Sequence, residues 1–365
     1  LRQLVEKHYE YDVDLHMVFV DFKQAYDSVD RSEMWRALSE LGTPSKIIRI
    51  IQACYEGTEC VVSAGGGKST AFRVTRGLRQ GDPLAPLLFN LVLERIKRDL
   101  GSMNRFEFLA YADDVVITST SKSEMVNTLR TFMTAAASRG LIVNIQKTKY
   151  MTISRRSSNE NLIVDGAEFE RVQHFKYLGS IITSRNEIEL EIRQRLNSAN
   201  GALLSFKKVF TSKNISTKSK LRLYKAIVRP VLTYGCQTWP TTLTQERKMA
   251  GFERRALRMI YGAKFSSEEQ QWRRRTREEI ERLYGDPTVD RWIAQQRMKW
   301  AGHVYRSDDN ALLKQALNLE VHNTRPRGRP RTRWKTVVER SLSVMNAPIS
   351  AASNRDTWNQ LCDLL

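Results

Sequence analysis

The stretch Glu107–Thr120, EFLAYADDVVITST, constrains the fold more than any other. Phe108, Leu109 and Tyr111 precede two adjacent aspartates, Asp113 and Asp114, and Val115, Val116 and Ile117 follow them. Such runs of apolar, β-branched and aromatic residues predict two buried strands. The aspartates then fall at the tip of the hairpin that joins the strands. Adjacent like charges repel, and carboxylates are costly to withdraw from water. Something at the tip has to offset that cost.

A second stretch, LHMVFVDFKQAYDSVD, supplies the partner. Leu15–Phe22 predicts another buried strand that carries Asp21 at its end, and it can lie beside the Asp-Asp hairpin in one sheet. Carboxylates gathered in this way raise one another's pKa unless a cation neutralises them. Mg²⁺ prefers oxygen ligands and keeps positions open for water and phosphate. Two such ions stabilise the attacking and leaving oxygens of nucleotidyl transfer. Metal ions and nucleotide phosphates would therefore account for the acidic tip.

The rest of the first half reads as mixed helix and strand. Asp30 with Glu33 predicts a helix start, with Met34, Trp35, Leu38 and Leu41 at helical spacing and Gly42 as the stop. Residues 60–75 predict a hairpin through Gly65-Gly66-Gly67. Leu84–Leu100 predicts an apolar helix, and Ser121 with Glu124 caps another that stops at Gly140. LIVN resumes as a strand, Asp165-Gly166 marks a hairpin turn, and FKYLGSIIT predicts a further strand pair. From Glu187 onward the pattern is helices alone, near 187–210, 216–229 and 244–262. An Arg-rich, mainly helical stretch follows to about residue 318. Residues 323–335, NTRPRGRPRTRWK, read as an exposed linker before a short terminal helical segment.

Charge divides the chain in the same place. Residues 1–185 hold 25 Lys and Arg against 22 Asp and Glu, whereas residues 186–365 hold 34 against 18, within a net charge of +19. A nearly neutral half joined to a strongly basic half suggests a catalytic body with an extension that grips a polyanion. A merely solvated basic surface is the plainer alternative. No run of apolar residues is long enough to span a membrane, and no signal peptide is visible. Cys54, Cys60, Cys236 and Cys362 form no C-x-x-C pair, which predicts reduced, buried thiols in an intracellular protein, nuclear and cytoplasmic.

Five stretches resemble, in order and spacing, the motifs of reverse transcriptases, particularly those of non-LTR (LINE-like) retrotransposons. FVDFKQAYDSVD resembles motif A, GLRQGDPLAPLLFNLVLE motif B, YADD motif C, GLIVNIQKTKYM motif D and FKYLGSIIT the primer-grip motif E. The resemblance implies an α+β fold. A right-hand polymerase palm, an antiparallel sheet with packed helices, would cover 1–185 with residual fingers. An α-helical thumb would cover 186–262, and a basic, mainly helical region 263–365. The chain opens on Leu1 and reads as a piece of a longer polypeptide, without N-terminal fingers or any endonuclease.

The same resemblance implies RNA-directed DNA polymerisation, with template RNA, a DNA primer, dNTP and two Mg²⁺ ions as partners. Asp21, Asp113 and Asp114 would hold the metals, with the Phe22 carbonyl completing a ligand set. The Tyr26 ring would lie under the sugar and exclude a 2′-hydroxyl, although it also reads as ordinary core. Gln80 and Gly81 would pack on the nucleotide and template, with Gly81 permitting close approach. Lys147 would neutralise or protonate the leaving pyrophosphate, with Lys149 second to it and a solvated lysine as the plain alternative. Asp27 and Asp30 read as turn and cap. Tyr177, Leu178 and Gly179 would grip the primer. Arg193, Arg195, Lys207, Lys208, Lys218, Lys220, Arg222 and Lys225 would track the template–primer backbone.

GGGKST is no phosphate-binding loop, because Val62 stands where the first glycine of that motif belongs and the context is a hairpin. RPRGRPRTRW resembles an AT-hook through Arg327, Arg329 and Arg331, but short Arg/Pro/Gly motifs arise easily, and the favoured reading is a generic basic linker that binds any phosphate backbone. Two other functions fit parts of the pattern: an intron-maturase-like RNA-binding protein, and a non-catalytic nucleic-acid-binding remnant.

Overall fold

The computed structural model describes residues 1–101, 107–156, 159–328 and 331–365. It resolves into two compact units. One comprises Leu1 with Asp12–Leu178, and the other Arg2–Tyr11 with Gly179–Leu365. The helix Arg2–Tyr11, placed by sequence with the first half, thus belongs with the second unit.

The first unit is built on a four-stranded antiparallel sheet. Its order is Lys149–Ile153, Leu15–Val20, Asp114–Ser119, Phe108–Tyr111. The central strands are apolar and β-branched, and both of their faces are buried. On one face Val18, Val20, Val115 and Ile117 join a core that includes Phe89, Val92 and Leu93 of the helix Ala85–Asp99, and Met125, Leu129 and Phe132 of the helix Lys122–Ala137. Elsewhere Phe19 stacks on Phe175 with ring centroids 4.2 Å apart.

The local signals are legible in the geometry. The Asp30 carboxylate accepts from the backbone N–H groups of Ser32 and Glu33, and Ser121 caps the Lys122–Ala137 helix through Glu124 N. Residues 59–73 form a nested hairpin around Gly65-Gly66. Asp165-Gly166 joins Leu162–Val164 to Ala167–Phe169, with both turn residues at positive φ.

The second unit is mainly helical. Its core gathers residues of the helices Glu189–Ser205, Leu243–Tyr261 and Val289–Arg306, with Phe210, Tyr224 and Trp239 among them. A smaller cluster around Trp334 and Trp358 closes the C-terminal end. Three expectations need correction. A two-stranded hairpin, Lys264–Ser266 with Gln271–Arg273, interrupts the all-helical pattern. Residues 323–335 are not wholly an exposed linker. Trp334 is buried and starts the helix Trp334–Met345, its indole N–H donates to the Gln237 carbonyl at 2.7 Å, and its backbone N–H donates to Glu6 at 2.9 Å. Arg325 and Arg333 pair with Glu10, and Arg331 lies over the Tyr9 ring. Finally, all four cysteines are free, but only Cys236 and Cys362 are buried, whereas Cys54 and Cys60 are exposed. Among the described residues no helix is long and apolar enough to cross a membrane.

Candidate active site

Strand register brings the acidic residues together. Val20 pairs with Val115 in the antiparallel ladder, so the next residues outward are Asp21 and Asp114. Tyr111 pairs with Asp114 across the hairpin, which leaves Ala112 and Asp113 as its two-residue turn. Ala112 adopts φ 52°, a left-handed conformation that costs a residue bearing a Cβ. That strain holds Asp113 at the tip, beside Asp114.

Asp113 and Asp114 are exposed, contrary to the buried tip expected from their apolar flanks. The hairpin ends where the core ends, so water solvates much of the acidic pair. Electrostatic crowding persists nevertheless. Partial burial raises the Asp114 pKa from its ordinary value, and the charges of Asp113 and Asp21 add to the rise. Two tyrosines complete the cluster. Burial and then the Asp113 charge raise Tyr26, while burial and then the Asp114 charge push Tyr177 up to about 12.

Among the described residues, no hydrogen bond or ion pair reaches the carboxylates of Asp21, Asp113 or Asp114. Nor does any group of three His, Cys, Asp or Glu side chains there converge closely enough to hold a metal ion as it stands. Three mutually repelling carboxylates on adjoining strand ends, with every oxygen uncommitted, are the donor set a hard divalent cation takes. The residues fit such an ion in the chemistry of their donor set.

The Asp21 backbone is fixed by the turn that carries Lys147. Asn144 N–H donates to the Asp21 carbonyl at 2.7 Å, and Asp21 N–H donates to Thr148 Oγ1 at 3.1 Å. Thr148 is fully buried. Lys147 is exposed, and among the described residues its ammonium has no partner. Lys149 instead donates to the Gln146 carbonyl and pairs with Glu170 at 2.5 Å. The two lysines therefore differ: one is uncommitted and the other paired. Thr148, the residue that bolts this turn to Asp21, carried no sequence signal beyond its place between them.

Tyr26 is half-buried and stacks on Phe89, with ring centroids 4.7 Å apart. It is thus part of the core edge and also within the field of Asp113. The Gln24–Asp30 segment that carries it is clamped from two sides. A Cβ on Gly77 would meet the Asp27 carbonyl at 2.5 Å, and one on Gly140 would meet the Ser28 carbonyl at 2.3 Å, so only glycine permits these approaches. Leu78 N–H donates to the Tyr26 carbonyl at 2.7 Å. Arg31 holds the carbonyls of Gly77 and Val74 at 3.0 and 2.8 Å.

Within motif B, Gly77 is the glycine that packs directly on the chain's own backbone. Gly81, at φ 89°, has open space among the described residues where a Cβ would go. Gln80 donates to the Asp27 carboxylate at 3.2 Å, which gives Asp27 a positioning contact that its reading as a turn residue missed. The Phe22 side chain lies in the core, against Phe89 and Phe132. The chain turns at Leu178 and Gly179, both at positive φ.

The expected phosphate-contacting cations separate into two groups. Arg193, Lys207, Lys208, Lys218, Arg222 and Arg327 are exposed. Lys220 is buried and cannot reach a phosphate from there. Arg195 is engaged by Glu191, the Gly179 carbonyl and the Tyr234 ring, and Lys225 by Asp286 and the Tyr284 ring. Arg331 donates to the carbonyls of Arg185 and Asn186 and pairs with Glu187. Arg195, Lys225 and Arg331 thus have partners within the chain, and Lys220 is withdrawn from the surface. Arg329 lies outside the described residues.

Residues 2–182 match the family described as reverse transcriptase (RNA-dependent DNA polymerase). They are a reverse transcriptase domain. Its relatives include proteins of R2 and jockey mobile elements. The Pol polyprotein of the type-1 retrotransposable element R2 of Popillia japonica is 26% identical over 241 residues, covering 61% of this chain and 33% of the relative. The RNA-directed DNA polymerase of the mobile element jockey of Drosophila funebris is 25% identical over 334 residues, covering 87% of this chain and 35% of the relative. The chain thus spans about a third of the length of these relatives. Among solved structures, Candida tropicalis telomerase with a fragment of telomeric RNA aligns with 87% of this chain and 50% of its own, at 12% identity and a TM-score of 0.41.

Proposed function

We propose that this chain carries the RNA-directed DNA polymerase activity of a non-LTR retrotransposon, adding deoxynucleotides to the 3′-hydroxyl of a DNA primer on an RNA template. The observation that carries the reading is the strand register that sets Asp21 beside Asp114 at the tip bearing Asp113, within a reverse transcriptase domain. In this reading the sheet-bearing part, residues 1–185, serves as palm with residual fingers. The helices of 186–262 serve as thumb, and 263–365 as a basic extension. The names of the relatives, retroelement polyproteins and polymerases, favour this over an intron-maturase-like role.

Asp21, Asp113 and Asp114 would hold divalent ions, Mg²⁺ in this proposal and two in number. When bound, the ions supply charge stabilisation to the attacking and leaving oxygens. The chain's own groups do the rest. Thr148 and Asn144 hold the Asp21 backbone in place. Lys147 brings an unpaired ammonium to the same turn, where it can meet the negative charge of a leaving pyrophosphate or give it a proton. The Tyr26 ring, backed by Phe89, closes the space that a 2′-hydroxyl would need. Gln80 and Gly81 are offered to nucleotide and template, and Tyr177, Leu178 and Gly179 to the primer. Synthesis in the cytoplasm and use on nuclear DNA is the localisation this reading carries.

Primer extension by the full chain on an RNA template, with and without chelator and with dNTP or rNTP, tests it. The expected result is chelator-sensitive incorporation of dNTP, with a raised rNTP-to-dNTP ratio in a Tyr26→Ala variant. Template–primer binding with no incorporation at any divalent-ion concentration would instead favour the non-catalytic remnant.

A further inference from the structure

The hairpin Lys264–Ser266 with Gln271–Arg273 has no part in the site described above. Its register sets Phe265 directly opposite Trp272. The two rings touch edge to face, with centroids 5.6 Å apart, yet Phe265 is 43% and Trp272 71% exposed. A tryptophan held by one neighbour and otherwise open to water adds little to stability, and an exposed aromatic pair on a short hairpin is a binding feature.

The cations around the hairpin show what it would bind. Lys264 and Arg273 share one carboxylate, Glu279, at 2.9 and 2.7 Å, so both are engaged within the unit. Arg254, Arg258 and Arg274 are different. Among the described residues none of them has a carboxylate partner. They also lie near one another: Arg254 and Arg258 stand one turn apart on the helix Leu243–Tyr261, Arg274 precedes Arg275, whose carbonyl Arg258 holds, and the charges of Arg274 and Arg254 add to the burial that lowers the Arg258 pKa. Arg258 Nε donates to the Arg275 carbonyl at 3.0 Å, and Arg275 Nε to the Gly262 carbonyl at 3.2 Å, which pins this group to the base of the hairpin. The acids of the connecting turn are Glu268 and Glu269, the latter accepting from Gln271. Clustered guanidiniums without counter-charges repel, and phosphates relieve that repulsion.

An exposed aromatic pair beside uncompensated arginines is the chemistry that takes unpaired nucleotides, bases on the rings and phosphates on the guanidiniums. Duplex hides the faces of its bases and cannot use the rings. We propose that the Phe265–Trp272 hairpin and the Arg254, Arg258 and Arg274 cluster bind a single-stranded stretch of RNA. The choice of RNA rests on the proposed use of an RNA template, the strand that is unpaired ahead of synthesis.

The test is an anisotropy titration of the full chain with a short labelled single-stranded RNA, the same sequence in DNA, and an RNA duplex. Two variants are compared, Phe265→Ser with Trp272→Ser, and Arg254→Gln with Arg274→Gln, each checked by circular dichroism. All four positions sit at or near the surface, so the fold is expected to survive. Loss of the rings should weaken single-stranded RNA binding by about five- to a hundred-fold and leave duplex binding unchanged. Loss of the arginines should flatten the log–log salt dependence by about 0.7 per lost contact. Unchanged single-strand affinity without the rings overturns the site, including the case in which the hairpin instead docks a protein. Loss confined to DNA overturns the assignment to RNA. Primer extension on the same variants separates this from the polymerase reading. A chain that extends primers but ignores the substitutions keeps the activity and loses the site; one that binds RNA through the rings but does not extend keeps the site and loses the activity.

Discussion

The two units handle charge in opposite ways. In the residues 12–178 unit, three carboxylates gather at strand ends and the turn between them with no partner among the described residues, and a lysine on the adjoining turn is likewise unpaired among them. In the 179–365 unit, the strongly basic one, many cations are tied inward. Arg229 lies against Glu253, Tyr284 and Trp292, Arg297 reaches Thr241 and Glu246, and Arg195 is held by Glu191. Net charge is therefore a poor guide to where ligands meet this chain. Uncommitted charge is the better one. It marks the acidic tip in the first unit, and a few exposed arginines and lysines in the second.

That contrast can be broken most sharply at Thr148. Replacing it by valine keeps the volume but removes the acceptor for Asp21 N–H, at a cost of about 1–3 kcal/mol for a buried donor left unpaired. The expected outcome is a kcat lower by about five- to a hundred-fold, with KM for template–primer nearly unchanged and recovery in Thr148→Ser. Steady-state extension kinetics decide it. A variant that loses only thermal stability would make Thr148 a packing residue.

The second unit offers a paired comparison of one free and one committed arginine. Arg222→Ala should reduce the log–log salt slope of duplex binding by about 0.9, the value for one lost phosphate contact. Arg331→Ala should leave that slope alone and lower Tm instead, because its guanidinium joins Glu187, two carbonyls and the Tyr9 ring. Equal slope changes would erase the distinction between exposed and committed cations.

A smaller effect concerns pH. Burial pushes Glu6 up to about 7, against the pull of the Trp334 N–H that it accepts. The folded-state pKa lies above the unfolded one, so between the two values the native chain binds more protons. Glu6 then supports folding fully below the ordinary carboxylate range, and that support fades as pH rises through about 7. Glu6→Gln should flatten the fall in Tm between about pH 4 and 8 relative to the parent chain, a range that spans both values. An unchanged pH profile would show that Glu6 does not carry the dependence.

Much of the first unit was legible because its signals are local. The continuous apolar, β-branched runs of Leu15–Val20 and Val115–Ser119, the Asp165-Gly166 turn and the Asp30 and Ser121 caps need only neighbouring residues to be read. Given two strands and a hairpin, the meeting of Asp21 with Asp114 follows from register. The contacts of Gly77 with Asp27, of Gly140 with Ser28 and of Thr148 with Asp21 were not legible, because each joins segments far apart in sequence. The Arg/Pro-rich stretch misled for the same reason. Nothing within it shows that Glu6 and Glu10, on a helix more than 300 positions earlier, would take Trp334, Arg325 and Arg333. The Lys264–Arg273 hairpin escaped because strands of three residues are too short to show alternation.

The central claim is that Asp21, Asp113 and Asp114 form a catalytic, cation-binding centre. Its most direct test is Asp113→Ala, measured on one preparation by primer extension and by template–primer titration. The account predicts that dNTP incorporation is lost, by about three orders of magnitude or more, while template–primer affinity stays near that of the parent chain. Extension at the parent rate by the folded variant would contradict it.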